Sequence, residues 1–118
     1  MYLYLENVDY NYIYIYDKYN SKNKKIIYST PNYTLNGLYI RINYILSFNK
    51  VIIKIPEKIR NLEKHIIDKI NNKKMAYKPI DNNISFNLNQ NINKIIMIIS
   101  VIWEINLTCG LIYKFVFI

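Results

Sequence analysis

The chain has one histidine, His65, and one cysteine, Cys109, and neither has a partner at a useful spacing. A Cys-His pair or a zinc site of several His and Cys ligands therefore lacks its members. The eight carboxylates form no D-x-D or H-x-E cluster that would gather them for metal binding or paired acid and base work. The only glycines are Gly37 and Gly110, so no Gly-rich phosphate loop can be written. The expectation is a protein without catalytic residues, cofactor or metal.

What the chain does carry is aromatic rings and cations: 13 Tyr, one Trp and 16 Lys plus Arg against 8 Asp plus Glu, a net charge of +8. Those two groups are what single-stranded nucleic acid needs, rings for base stacking at ~1–3 kcal/mol per base and cations along the phosphates. Tyr39 and Arg41 lie two residues apart in an alternating run, so a strand there shows both on one face, with Asn43 following at the same period. Lys50 and Lys54 fall on the next strand. Trp103 and Lys114 lie near the chain's end, where Trp103 has the competing role of a core residue and Lys114 is expected to be exposed, opposite Tyr113. Tyr39 and Arg41 have competing roles too, as a half-buried sheet residue and a solubility charge.

The elements that must position these residues follow from periodicity. Tyr10 to Tyr16 alternates as a strand, Asp17 to Lys25 is a polar basic loop, and Ile26-Ile27-Tyr28 resumes a strand. Asn36-Gly37 tolerates positive φ ahead of one long strand, Leu38 to Phe48, whose Leu38, Ile40, Ile42, Tyr44 and Leu46 face the core. Asn49-Lys50 closes a hairpin onto Val51 to Ile55. A helix over about 56–71 starts at Pro56 and Glu57 and buries a stripe of Ile55, Ile59, Leu62, Ile66 and Ile70, with Asn71-Asn72 as its stop. The stretch Lys73 to Asn83 has little periodicity. Three strands end the chain, Ile84 to Leu88, Ile92 to Glu104 and Leu111 to Ile118, the last two joined by a turn at Cys109-Gly110. Strands, one helix, then strands, with no βαβ alternation, is the order of an OB-fold-like antiparallel Greek-key barrel. In that fold the ligand crosses strands 2 and 3, which again selects the face of Tyr39.

At 118 residues the chain has room for a single domain, 1–118. Ile, Asn, Lys and Tyr have codons rich in A and T, so an AT-rich genome explains part of the basic charge. A lone cysteine excludes an internal disulfide and suits a reducing compartment. MYLYLENVDY lacks the basic and apolar regions of a signal peptide, and the longest apolar run, Ile95 to Trp103, is far short of the ~20 residues of a membrane helix. An intracellular protein with no membrane partner is expected.

Several short motifs occur in a particular order: Tyr28-Ser29-Thr30-Pro31, Gly37 and its strand to Phe48, a helix carrying Leu62-Glu63, then Ile102-Trp103 and, past a turn, Gly110-Leu111-Ile112-Tyr113-Lys114. In that order and spacing the chain resembles a single-stranded-DNA-binding, OB-fold-like protein family of large double-stranded DNA viruses. The resemblance covers 24–118 and leaves the Tyr-rich strand and basic loop of 1–23 outside it; the segment between helix and closing strands is shorter than the family pattern. It implies sequence-independent single-stranded DNA binding during viral replication or repair in the host cell, with viral replication proteins or further copies of the chain as partners. The alternative is a viral structural or interaction module that oligomerises through its β-edges.

Overall fold

The structure, a computed structural model, describes residues 1–17, 23–70, 76–88 and 90–118. Its strands are β1 (Leu3–Tyr4), β2 (Ile13–Tyr16), β3 (Asn23–Ser29), β4 (Thr34–Leu35), β5 (Leu38–Ile42), β6 (Ile45–Ser47), β7 (Lys50–Lys54), β8 (Ala76–Lys78), β9 (Asn83–Asn87), β10 (Ile95–Ile105) and β11 (Thr108–Phe117). Among the described residues one α-helix, α1 (Glu57–Ile70), lies between β7 and β8. The protein is mainly β with one helix, as its periodicity predicts.

The apolar strand β10 organises the larger sheet. It pairs along its whole length with β11, while its other edge pairs first with β5 (Ile95↔Ile42 to Ile99↔Leu38) and then with β3 (Val101↔Lys25 to Trp103↔Asn23). The change of partner coincides with a bulge between Ile99 and Val101. Gly37 fits against that bulge: its φ is +131°, and a β-carbon there would lie 3.0 Å from Ser100 Cβ. Both the backbone angle and the close approach require glycine. β1 adds in parallel to β5 and β8 in parallel to β11, and β2 and β4 flank β3. A second sheet has the order β6-β7-β9.

Ile95, Met97, Ile99 and Ile102 of β10 are buried with Leu38, Ile40 and Ile42 of β5 and with Ile59, Leu62 and Ile66 of α1. Phe86 of the small sheet packs on Phe115 and Phe117 of β11 at 5.3 and 5.2 Å between ring centres. Leu3, Leu5 and Val8 join the same core, so the N-terminal segment outside the family pattern is part of the fold. Among the described residues the pairings do not close into a ring: the path of the larger sheet runs from β1 to β8 and the smaller sheet stands apart.

Several expectations change. The turn of the β6–β7 hairpin is Phe48-Asn49 and not Asn49-Lys50, because Lys50 pairs with Ser47 as the first residue of β7. Tyr10–Tyr12 is a turn of 3₁₀ helix and only Ile13–Tyr16 is strand, because Asp9 Oδ1 accepts from the Asn11 N–H at 2.9 Å and offers the backbone a local alternative to pairing. The run from Leu38 to Phe48 breaks at Asn43-Tyr44 into β5 and β6, which lie in different sheets. There the Tyr44 hydroxyl donates to Ile92 O at 3.1 Å, and Leu46 is exposed and outside the core. The final turn is Asn106-Leu107, both at positive φ, and Cys109 and Gly110 lie inside β11. Ala76–Lys78 forms a strand that periodicity does not show, since its register is supplied by β11. Of the loop expected over Asp17 to Lys25, Asn23–Lys25 is instead the start of β3, drawn into the sheet by pairing with Val101–Trp103 of β10, and 18–22 lies outside the described residues, as does the proposed helix stop at Asn71-Asn72.

Candidate nucleic-acid interface

Alternation on β5 sends Leu38, Ile40 and Ile42 into the core and leaves Tyr39 and Arg41 on the other face. Register then fixes their neighbours. Tyr4, Arg41, Ile96 and Val116 form one row across β1, β5, β10 and β11. Tyr39, Ile98 and Lys114 form the next. Lys114 is exposed and Tyr39 half-buried.

Arg41 is held by two phenols. Its Nη1 donates to the hydroxyls of Tyr2 at 3.4 Å and Tyr4 at 3.5 Å, and its guanidinium carbon lies 6.0 and 5.9 Å from their ring centres. The two rings meet edge to face at 5.9 Å, and Lys94 Nζ lies 4.8 Å from the Tyr2 ring centre. Such cation–π contacts restrict a long side chain. The hydrogen bond from Arg41, more than that of Tyr4 or the charge of Lys94, holds the Tyr2 phenol below its ordinary pKa, and the same bond raises that of Arg41. Both contacts use Nη1, so the rest of the planar fork remains able to meet a phosphate.

Beside this cluster is a cleft of about 490 Å³ lined by Tyr4, Glu6, Arg41, Asn43 and Lys54. Two cations face one carboxylate there, so its balance favours an anion. The structure thus brings Tyr39, Arg41, Asn43, Lys54 and Lys114 to one side of the sheet and its rim. Lys50 is exposed at the other end of β7. Trp103 is further away, seven residues along β10 from Ile96 or roughly 23 Å at strand rise. It lines a separate cleft of about 260 Å³ with Lys78, Asp81 and Tyr113.

Sequence reasoning missed Tyr2, Tyr4 and Lys94. A signal for the first two exists: Tyr2 and Tyr4 alternate with Leu3 and Leu5, the period of a strand with one polar face. Nothing local to Lys94 indicates that it meets Tyr2. Cys109 is buried in β11, where burial pushes its thiol up and away from thiolate chemistry. Among the described residues no helix is long and apolar enough to cross a membrane. No family model, no curated protein and no solved structure matches the chain.

Proposed function

We propose that the protein binds single-stranded DNA without catalysis and largely without regard to sequence, in the replication or repair of a large DNA virus inside its host cell. The observation that carries this reading is the cluster around Arg41, a guanidinium positioned by Tyr2 and Tyr4 with Tyr39 on the same strand face. Rings for bases and a fork for phosphate stand together, and neither needs a catalytic partner. The order of motifs that resembles the viral family is further support, since Trp103 and Gly110 pair across the final hairpin. An OB-like barrel is the fold-level part of the proposal, supported by the place of α1 between two groups of strands.

Fluorescence titration with oligo-dT at two ionic strengths tests the function. Binding tighter than micromolar should weaken with salt at a log-log slope of about −0.7 per phosphate neutralised. Affinity that is absent, or indifferent to salt, overturns the reading. A second reading, an interaction module that oligomerises through β-edges, is favoured by β6, an edge strand whose Ile45 and Leu46 are exposed. It predicts an oligomer by light scattering that survives nuclease treatment.

A further inference from the structure

The hairpin of β6 and β7 displays an aromatic ring that the fold does not use. Ser47 and Lys50 pair across a two-residue turn in which Phe48 has φ +46° and Asn49 φ +62°. Left-handed geometry at both positions matches the twist of the flanking strands. Asn adopts it readily, whereas a bulky aromatic residue there is an outlier. Phe48 is 98% exposed, so no contact within the chain offsets that cost. Asn, which the chain uses next door, would relieve the strain, so the ring at this position gives the fold nothing that Asn would not.

The surroundings indicate on what. Lys50, Ile52 and Lys54 share the outer face of β7, opposite the buried Val51 and Ile53. Their partners are Asn87, Ser85 and Asn83 on β9 and Ser47 and Ile45 on β6, so cations and hydrogen-bonding side chains flank an apolar pair, Ile45 and Ile52, at the centre of this face, and none of these residues is acidic. Lys54 also lines the Arg41 cleft, and about 13 Å of strand separates it from Lys50 beside the hairpin tip. Among the described residues Leu107 is also an exposed apolar turn residue, but in its hairpin Glu104 is ion-paired with Lys24, so that lysine's charge is already neutralised.

We propose that the outer face of β6-β7-β9 is a second segment of the single-strand path, and that Phe48 is its terminal base-stacking residue. This rests on the DNA-binding reading of the Arg41 face. A strand leaving the cleft at Lys54 passes Asn83, Ser85 and Asn87, whose amides and hydroxyl can meet sugar, phosphate or base edges, and reaches a ring open on both sides. A bilayer would take the apolar tip but would leave that polar row desolvated without partners.

The test uses Phe48→Trp, read as a difference from the native chain with its single Trp103, titrated with oligo-dT of about 16 nucleotides and, separately, with phosphatidylserine-containing vesicles. Quenching of the added indole by oligo-dT is expected. Phe48→Ala and Phe48→Leu should each weaken oligo-dT binding roughly 5- to 150-fold, because Leu keeps the apolar bulk and loses the ring. Both variants should keep the native melting transition, since the side chain is exposed. If Arg41→Ala weakens binding but Phe48→Ala does not, the extended path is wrong and the Arg41 reading stands. If the native chain does not bind oligo-dT, both fall. An indole that responds to vesicles and not to oligo-dT makes the tip a lipid contact and overturns the proposal.

Discussion

The indole of Trp103 lies against the bare α-carbon of Gly110, directly across the final hairpin, so closely that a β-carbon on residue 110 would sit 2.8 Å from two ring carbons. Gly110 does not have a positive φ, so the glycine is required by its neighbour and not by its backbone. On β-strand backbone alone Ala would be favoured over Gly by about 0.5–1 kcal/mol. The overlap should win, because relieving it means moving either the ring or the strand. Gly110→Ala is expected to lose about 1–3 kcal/mol in denaturant unfolding, with a shift in Trp103 emission. Trp103→Leu should remove most of that penalty in the double variant, and additive effects would show that ring and glycine are not coupled.

Glu63 is 1% exposed and accepts from the Ile80 N–H at 3.1 Å and from the Tyr113 hydroxyl. Burial, then the bond to Glu63, pushes the Tyr113 phenol far above its ordinary range, so it remains a donor. One turn earlier Arg60 donates to Ile80 O and to the Asn82 side chain, and the helix thereby grips the segment leading into β9. Tyr113→Phe keeps the ring and removes one donor from a buried carboxylate. A loss of about 1.5–3 kcal/mol is expected by chemical denaturation. A loss under about 0.5 kcal/mol would mean that water replaces the hydroxyl.

These two sites show what the sequence made legible. The 3.6 period of Ile59, Leu62 and Ile66 placed α1, and the alternation of Leu38, Ile40 and Ile42 chose the outward face of β5, because burial on one side leaves a local trace. Glu63 broke that rule: its partners, Ile80 and Tyr113, are 17 and 50 residues away, and only tertiary pairing makes a carboxylate acceptable in the core. Gly110 reads as a turn signal when its neighbours in space are unknown. The site was half legible for the same reason. Tyr39 and Arg41 follow from one strand, whereas Tyr2 and Tyr4 reach Arg41 only through parallel pairing of β1 with β5, which no hairpin signal announces.

His65 stacks on Tyr10 with ring centres 4.5 Å apart, and among the described residues its buried Nε2 has no hydrogen-bond partner. Burial, helped by Lys69 and opposed by Asp68, lowers its pKa below 6.5. A depressed folded-state pKa gives stability that is complete above the unfolded value and is lost as pH falls through the folded one. Melting temperature should therefore drop between about pH 7.5 and pH 5, and His65→Phe, which can keep the stacking on Tyr10, should flatten that drop. Identical pH profiles for the two proteins would remove His65 as the cause.

Arg41 and Tyr2 allow charge to be separated from geometry. Arg41→Lys keeps one positive charge but loses the planar fork and its shared contact with the two phenols. Arg41→Ala loses both. If the guanidinium meets a phosphate, the salt slope of oligo-dT binding should fall in magnitude by about 0.7 in Arg41→Ala and stay near the native value in Arg41→Lys, while affinity drops in both. The free protein supplies an independent readout, because the bond from Arg41 is the largest cause of the lowered Tyr2 phenol. Alkaline absorbance titration should show one tyrosine ionising later in Arg41→Ala, and Tyr2→Phe should delete that early component altogether. An early phenol that survives Arg41→Ala would place the cause elsewhere, with Lys94 the next cation to replace.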